Sequence, residues 1–438
     1  MDKPFTVKEY DTIICNTDFE KNDNYKYLEK EKFNNLSEFI LEFTGDDENA
    51  DAMEFMRVSS KRFVGNCITI QNYVGLIQMK NGFQIQILPK ISFSNKEDGN
   101  SEETKKIFLK MLRSMKDFPG KAFHSASLNV DKMNLYDLFI NMYLQEVRTL
   151  VKHGLKSTYV SVEDNIHCFK GKLQVAQHIC NNLAHKERFY VAYDEFIPNR
   201  AENRIIKATL LKLQKITASA ENKKEIRQLL TAFELVEASV HYEKDFAKIV
   251  INRNTKDYEM LMKWSKVFLM NKSFTTFSGK TVSRALLFPM ETVFESYVAQ
   301  QMKKIFCPDG WEVSTQDKGY YLFAEPQRFA LKPDIVMKKD KRTIILDTKW
   351  KRLNDNPRAN YGISQADMYQ MYAYSKKYQT EEIWLLYPVN EKVRECNDIC
   401  FDSGDNTKVH VFFVDVADIE NSLTKLKEKL EQVVQNFE

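Results

Sequence analysis

The sequence lacks the features that mark membrane, secreted and nucleotide-binding proteins. It has no apolar run near the length of a membrane span, and its first residues contain no apolar signal core. Its seven cysteines include no CxxC pair, which argues against a disulfide framework or a zinc knuckle. It has no GxxxxGK[ST] phosphate loop, so any nucleotide hydrolysis would need another chain. We therefore expect a cytoplasmic protein with reduced thiols, no membrane contact and no nucleotide bound by this chain itself.

Glycine and proline are scarce, and neither sign of charge dominates. The 438 residues include 13 Gly and 10 Pro, and the net charge is only +3. This balance neither requires nor excludes a nucleic acid as partner. With 43% apolar and 29% charged residues, the chain has the composition of a globular protein, and its length favours two or three domains.

The hydrophobic period changes along the chain and divides it into three predicted domains. Residues 1–125 alternate short β-type runs with polar joints, which predicts a β-rich N-terminal domain. A polar loop at 94–104 is the clearest spacer in that part. Residues 126–272 are mostly helical by period, and they open with a long amphipathic helix at 133–155 whose end is marked by Gly154.

Residues 273–438 predict a mixed α/β domain with the order α-β-β-β-α-β-β-α. Together with the first two domains, this pattern predicts a multidomain protein of the α+β or mixed α/β class. The predicted elements are a helix at 288–306, strands at 320–325, 331–337 and 342–350, a helix at 366–378, strands at 381–389 and 408–416, and a helix at 422–435.

The stretch LDTKW, at 346–350, ends an apolar run with two charged residues. A strand exposes alternate residues on one face, so Asp347 and Lys349 point the same way. An Asp–Lys ion pair at a sheet edge would be the ordinary explanation for D-x-K alone, and such a pair stabilises little. Asp334, which follows Pro333 in the preceding strand, favours a functional site instead.

The position of Asp334 depends on the register of the hairpin between the two strands. If the loop KKDK closes with Met337 opposite Arg342, Asp334 lies opposite Ile345 and diagonal to Asp347. Diagonal neighbours lie roughly 7–8 Å apart, so their carboxylates can converge on one small cation. A shift of one residue would turn Asp334 to the other face.

Two carboxylates and a lysine in this arrangement suit phosphodiester hydrolysis. Carboxylate oxygens bind Mg²⁺ and leave positions for water and a phosphate oxygen, and the metal lowers the pKa of the attacking water. A lysine beside them can stabilise negative charge at phosphorus or orient that water.

Two predicted helices flank this set. The first has an apolar stripe with Glu291 and Glu295 at its margin, and its geometry does not decide which glutamate joins the site. The second places Gln370 and Tyr374 one turn apart on one face, where they could contact a DNA backbone.

Other reactive residues form no recognisable local signature. No nucleophilic triad is apparent from spacing. A zinc site is also disfavoured because the candidate ligands are irregularly spaced. These candidates are Cys168, His178, Cys180 and His185.

The acid–acid–lysine set resembles the PD-(D/E)xK nuclease superfamily, and the sequence QMYAY is similar to the Q-x-x-x-Y element of its RecB-like branch. The residues that carry this resemblance are Glu295, Asp334, Asp347, Lys349, Gln370 and Tyr374. More specifically, the chain resembles the McrC family of nuclease subunits in McrBC modification-dependent restriction systems. The resemblance covers most of residues 60–375. The blocks that carry it are YVGLIQMKNGFQIQILPKI, EVRTLVKHGLKSTYVSVEDNIHCFKGKL, YDEFIPNRAENRIIKATL and FSGKTVSRALLFPMETVFESYV.

The resemblance implies a fold, a cofactor and roles for single residues. Residues 273–438 would form a restriction-endonuclease-like α/β domain. Asp334 and Asp347, assisted by Glu295, would hold Mg²⁺, with Mn²⁺ as a substitute. Lys349 would position water or offset charge. Gln370 and Tyr374 would support the DNA at the site.

The resemblance also implies partners. The N-terminal and central domains would engage an McrB-like AAA+ GTPase hexamer and stimulate its GTP hydrolysis, and the third domain would cleave double-stranded DNA. Double-strand cleavage would favour nuclease domains acting in pairs, within a dimer or between whole complexes. Two alternatives stay open at this point: a stand-alone RecB-like repair nuclease, and a catalytically idle scaffold that activates an AAA+ hexamer.

Overall fold

The computed structural model describes residues 4–44, 56–79, 82–91, 101–115, 134–270, 282–340, 342–393 and 399–435. The chain forms two compact units. One lies within Ala122–Thr276, and the other combines Asp2–Lys121 with Phe277–Glu438. The three-domain division stays a prediction, because both of its internal boundaries lie outside the described residues.

The N-terminal part of the second unit is built mainly of short strands, as their alternating apolar residues predict. The strands are β1 (Phe5–Lys8), β2 (Thr12–Ile14), β3 (Tyr25–Tyr27), β4 (Met56–Lys61), β5 (Gly65–Ile70), β6 (Tyr73–Met79) and β7 (Gln84–Leu88). The helices are α1 (Lys30–Thr44) and α2 (Ser101–Leu112). The predicted loop at 94–104 is therefore wrong from residue 101 onward, because Glu102 and Glu103 suit the positive end of a helix dipole; residues 94–100 lie outside the described ranges.

The unit Ala122–Thr276 is mainly helical. Its helices are α3 (Leu135–His153), α4 (Val175–Asn182), α5 (Ala201–Ile216), α6 (Ala220–Ala232), α7 (Tyr242–Lys248) and α8 (Glu259–Met270). Its strands are β8 (Thr158–Ile166), β9 (Lys172–Leu173) and β10 (Phe189–Ile197). The long helix predicted at 133–155 is confirmed: Asn134 caps its start, and Gly154 ends it with φ of 88°.

The C-terminal part of the other unit contains the mixed α/β pattern. Its strands are β11 (Val282–Pro289), β12 (Glu312–Thr315), β13 (Tyr320–Phe323), β14 (Arg328–Leu331), β15 (Ile335–Lys339), β16 (Arg342–Thr348), β17 (Glu382–Pro388), β18 (Ile399–Asp402) and β19 (Lys408–Val414). Its helices are α9 (Met290–Phe306), α10 (Gln365–Tyr378) and α11 (Ile419–Gln435). The single strand predicted at 331–337 is wrong, since Pro333 has no N–H for the ladder and separates β14 from β15.

Two small sheets share one apolar core with α1. The first sheet has the order β1-β7-β6-β11, and the second has the order β3-β2-β5-β4. Phe33, Leu36 and Phe39 of α1 pack with Ile68 and Ile77 from the two sheets. Each fully buried side chain of this size contributes about 1.5–3 kcal/mol. The segment that includes β11 therefore belongs to a sheet built mostly by the first hundred residues.

A six-stranded mixed sheet carries the charged residues predicted as a site. Its order is β12-β15-β16-β17-β19-β18, with β16, β17 and β19 parallel. The central strands β16 and β17 are nearly all buried, which explains their continuous apolar runs. Helix α10 packs on the face that carries Val336, Ile345 and Leu385. Within the described ranges, every helix is too short or too polar to span a lipid bilayer.

The hairpin between β15 and β16 is tighter than the sequence predicts. Met337 pairs with Ile344, and Lys339 pairs with Arg342, so the loop has two residues. The predicted pairing of Met337 with Arg342 is wrong by two positions. The physical reason is the turn: Asp340 has φ of 52°, the left-handed conformation that two-residue hairpin loops require.

A shift of two residues keeps every side chain on its predicted face, because the period of a strand is two. Ile335 pairs with Leu346 in the observed ladder. Extending that register by one residue places Asp334 opposite Asp347 instead of opposite Ile345. The corrected register thus brings the two carboxylates closer than the predicted diagonal arrangement would.

Candidate active site

Asp347 lies near the end of the central strand β16 and is 1% exposed. Its side chain points to the same face of the sheet as that of Ile345, the face on which α10 packs. Its Oδ2 lies 2.7 Å from Lys349 Nζ, in an ion pair. This ion pair partly neutralises the buried carboxylate.

Asp334 is held in place from the opposite strand. Its Oδ2 accepts two hydrogen bonds from Thr348, one from the backbone N–H at 2.8 Å and one from the hydroxyl at 2.7 Å. Its own carbonyl accepts from the backbone N–H of Gln316 at 3.0 Å. These bonds fix the carboxylate beside the end of β16, where the side chain of Asp347 lies.

Helix α9 supplies the third carboxylate. It begins directly after β11, with Pro289 at the N-cap position, so the sheet that contains β11 sets where the helix starts. Glu295 accepts a hydrogen bond from Gln316 Nε2 at 2.6 Å, and it interacts electrostatically with Asp334 and Asp347. Glu291, one turn earlier, interacts electrostatically with Tyr10. Of the two glutamates left open by the sequence, Glu295 is therefore the one placed at the carboxylate cluster.

Helix α10 contributes a polar chain that reaches Lys349. Ser364 caps the start of this helix by accepting from the backbone N–H of Asp367. Gln370 accepts a hydrogen bond from Lys349 Nζ at 3.3 Å and donates to the hydroxyl of Tyr374 at 2.6 Å. Since the two residues are four apart, they lie on one helix face, as predicted. The Gln370–Tyr374 pair thus gives the lysine a second contact beside its carboxylate partner.

The carboxylates raise one another's affinity for protons. Burial, followed by the neighbouring Asp334, raises the pKa of Asp347 to about 7, against the opposing effect of Lys349. Burial and then Asp334 also raise the pKa of Glu295 to about 7. Burial raises the pKa of Asp334, although its bonds from Thr348 oppose the rise. Burial, followed for Asp347 and Glu295 by like charge at close range, produces this pattern.

The lysine responds in the opposite sense. Burial lowers the pKa of Lys349, but Asp347 and the other carboxylates outweigh it, so the net pKa is raised. Lys349 is therefore a permanent cation at neutral pH. One lysine beside three carboxylates leaves an excess of negative charge.

The residues present fit a hard divalent cation. Carboxylate oxygens are the donors that Mg²⁺ prefers, and it commonly takes only one or two of them, with water and phosphate oxygens completing its octahedron. The three carboxylates supply such donors, and the raised pKa values of Asp347 and Glu295 indicate that added positive charge would stabilise their ionised forms. Among the described residues, no group of three or more acidic, His or Cys side chains already has ligand spacing.

All six residues predicted from the sequence lie in this neighbourhood, within one unit. They are Glu295, Asp334, Asp347, Lys349, Gln370 and Tyr374. Sequence reasoning missed Thr348 and Gln316, which hold two of the carboxylates. The T of DTK gave no signal, because alternation predicts that its side chain lies on the other face. Gln316 follows β12 directly, with a φ of 52°, and has no motif around it.

The residues considered as zinc ligands have other contacts. His178 Nδ1 lies 3.0 Å from Asn182 Nδ2, and its ring stacks on Phe189. Cys168 and Cys180 are exposed free thiols. The contacts of these described residues therefore give no support to a zinc site.

The fold and the site together define a class: a mixed α/β protein with a buried carboxylate–lysine cluster at the end of a central strand. Comparison with known families then gives the particular assignment. The sequence model described as "McrBC 5-methylcytosine restriction system component" matches residues 68–388. The chain belongs to this family.

Comparison with solved structures gives a similar fold. A chain in the refined half-complex from the tetradecameric assembly of Thermococcus gammatolerans McrB AAA+ hexamers with bound McrC is 20% identical, with a TM-score of 0.67. The match covers 97% of this chain and 100% of that chain. A chain of the Thermococcus gammatolerans McrBC complex is 21% identical over 68% of this chain and 86% of its own length, with a TM-score of 0.46. A search of curated proteins found no match.

Proposed function

We propose that this chain is the Mg²⁺-dependent DNA endonuclease subunit of an McrBC-type restriction system. The observation that carries the proposal is the buried Asp347–Lys349 pair beside Asp334 and Glu295, in a chain of the McrBC family. The proposal includes the PD-(D/E)xK type for the domain that contains β15, β16 and α10. The acid–acid–lysine set and the Q-x-x-x-Y pair support that type.

The chain's own residues have separable tasks in this proposal. Asp347 and Asp334 would hold the metal, and Glu295 would support them from α9. When bound, Mg²⁺ supplies Lewis-acid polarisation of a phosphate oxygen and lowers the pKa of water. Lys349, which remains charged, offsets the negative charge that develops at phosphorus. Gln370, which is partly exposed, would orient Lys349 and face the DNA backbone, and the buried Tyr374 would support it through their hydrogen bond.

The partner in this proposal is an McrB-like AAA+ GTPase. It is supported by the family assignment and by a similar fold found in a structure whose title names McrB AAA+ hexamers with bound McrC. This chain has no phosphate loop of its own. GTP hydrolysis by the partner would therefore drive the system, with the N-terminal part and the helical unit of this chain engaging it.

The test compares wild-type chain with Asp347→Asn. Both are purified with and without the McrB-like partner and incubated with plasmid DNA carrying or lacking 5-methylcytosine, with Mg²⁺ and GTP present or withheld. We expect Mg²⁺-dependent cleavage only with the partner and GTP, and its loss in Asp347→Asn with GTPase stimulation retained. Cleavage by the purified chain alone would favour a stand-alone nuclease. Absence of cleavage under every condition, with GTPase stimulation intact, would favour the idle scaffold.

A further inference from the structure

A buried glutamate from the first ten residues of the protein lies directly behind the candidate site. Glu9 follows β1, is 0% exposed and continues the ladder through its backbone N–H, which donates to Leu88. Both of its carboxyl oxygens accept from Trp350 Nε1, at 3.0 and 3.2 Å. Its Oε2 also accepts from the backbone N–H of Lys90 at 3.1 Å. These contacts join segments that are 341 positions apart in the chain.

The indole that Glu9 holds touches both elements that carry catalytic candidates. Trp350 is 3% exposed and follows Lys349 in the chain. Its ring lies against Phe294, with ring centroids 5.2 Å apart. Phe294 is itself 0% exposed and precedes Glu295 on α9. One buried column, Glu9–Trp350–Phe294, therefore lies next to the lysine on one side and next to the glutamate on the other.

Lys349 lies at the end of the sheet, where the packing of the next residue helps to set its position. The ladder between β16 and β17 ends with Thr348 opposite Leu386. Beyond it, the backbone N–H of Lys349 donates to Leu386 at 2.9 Å. The next anchor along the chain is the side chain of Trp350. Its indole N–H donates to the carboxyl of Glu9, the kind of partner that a buried tryptophan usually has.

The protonation of Glu9 suits this task. Burial raises its pKa to about 8, against the opposing contacts of Lys90, Trp350 and Arg352. At neutral pH the group is largely a neutral carboxyl. It therefore accepts the indole hydrogen bond while carrying little negative charge.

We propose that Glu9 is a positioning residue of the nuclease site, which acts through Trp350 and Phe294 to align Lys349 with Glu295. The proposal rests on the proposed nuclease function, because alignment matters only where these groups act together. It assigns to the N-terminal segment a direct part in assembling the active site, in addition to any part in partner binding. Misplacement of a reacting group by about 1 Å can lower a rate by roughly 100-fold.

The test uses the full chain with its partner and compares Glu9→Leu with Glu9→Gln. Leucine fills the space without an acceptor, whereas glutamine keeps the shape and one acceptor oxygen. We expect Glu9→Leu to lower the DNA cleavage rate by about 10- to 100-fold, with GTPase stimulation retained, and Glu9→Gln to cleave near the wild-type rate.

Trp350→Phe keeps the packed ring without the N–H, so its rate should fall similarly. Trp384→Phe, another buried indole of this unit, is the matched control.

A spectroscopic readout separates positioning from loss of stability. The chain has four tryptophans, so 5-fluorotryptophan labelling gives four ¹⁹F resonances, and Trp350→Phe identifies one of them. Glu9→Leu should shift the Trp350 resonance and leave that of Trp264 unchanged. The double variant Glu9→Leu/Trp350→Phe should be no slower than Trp350→Phe alone, since both act through one contact.

The outcomes that overturn the proposal differ from those that overturn the function. The positioning role would be overturned if Glu9→Leu displaces the Trp350 resonance but cleaves at the wild-type rate. It would also be overturned if the rate losses of Glu9→Leu and Trp350→Phe multiply in the double variant. If Glu9→Leu does not fold, a wild-type rate in Trp350→Phe overturns it. Normal cleavage by Asp347→Asn would overturn the nuclease assignment itself, and the ¹⁹F shift does not depend on that result.

Discussion

Thr348 donates two hydrogen bonds to a single oxygen of Asp334, one from its backbone and one from its hydroxyl. The bonds cross from one strand of the tight hairpin to the other. They leave the second oxygen of Asp334 free of these donors. The threonine therefore decides which way the carboxylate turns.

Replacing Thr348 by valine removes the hydroxyl bond and keeps the shape and the backbone bond. We expect Thr348→Val to lower Mg²⁺-dependent cleavage by about 10-fold or to raise the Mg²⁺ concentration needed for it by a similar factor, as loss of a ligand's supporting bond commonly does. Cleavage rates measured over a range of Mg²⁺ concentrations test this. Thr343→Val, on the same strand but away from its end, is the control and should cleave normally.

The buried carboxyl of Glu9 should make stability depend on pH. Its pKa is raised from 4.5 to about 8, so the folded chain binds a proton that the unfolded chain releases between these values. The stabilisation is complete below the unfolded pKa and is lost as the pH rises through the folded one. We expect the unfolding free energy of wild type relative to Glu9→Gln to fall with pH, with a maximal slope of about 1.4 kcal/mol per pH unit. Urea denaturation at several pH values measures it, and a pH-independent difference would contradict a buried proton.

Gly75 lies where β6 passes close to β11. Its φ is +144°, and a Cβ there would overlap the carbonyl oxygen of Leu286. We expect Gly75→Ala to destabilise the unit by about 3 kcal/mol or more, because the backbone of β11 must move. Since β11 leads directly into α9, cleavage should fall as well.

Gly404 provides the control for this substitution. It also has a positive φ, of +77°, but an added Cβ there meets nothing within 4 Å. Gly404→Ala should therefore cost only the backbone strain, about 1–2 kcal/mol. Thermal denaturation of the two variants compares them; equal losses would show that the approach of β11 does not constrain residue 75.

Arg342 and Glu382 form a forked ion pair at the hairpin. Arg342 Nε and Nη2 lie 2.8 and 2.6 Å from the two carboxylate oxygens, and Nη2 also donates to the carbonyl of Leu430 at 2.9 Å. We expect Arg342→Lys to lose the fork and to destabilise the unit by about 1–3 kcal/mol, with an unchanged Mg²⁺ requirement. The single, exposed ion pair Lys376–Asp405 is the comparison. Lys376→Met should cost less than about 1 kcal/mol in urea denaturation.

The sequence was informative where period and chemistry agreed. The strand with Asp347 and Lys349 and the helix with Gln370 and Tyr374 could be predicted, because spacing within one element fixes which residues share a face. The face of Asp334 was also predictable, because an error of an even number of residues in the hairpin register leaves each side chain on the same face. The register itself was wrong by two, because the loop KKDK contains no glycine or asparagine to signal a two-residue turn.

Contacts between distant segments could not be predicted in this way. Nothing in local pattern connects Glu9 with Trp350, or Gln316 with Glu295, because both pairs depend on how separate elements pack. Thr348 was missed for a different reason. Alternation predicts the face of side chains within a strand, but Thr348 is the last residue of β16. At that position its hydroxyl reaches Asp334, which alternation alone would place on the other face.

The pairing of β6 with β11 also constrains how the protein can be made and cut apart. Its partners, such as Gly75 and Leu287, are more than 200 residues apart in the chain, and the helical unit is encoded between them. A ribosome must finish that unit before the last strand of this sheet can dock. A fragment that begins after the helical unit would retain Asp347 and Lys349 but would lack β6, β7 and Glu9. Inactivity of such a fragment would reflect an incomplete scaffold, and the smallest piece suited to studying cleavage is one that retains both ends of the chain.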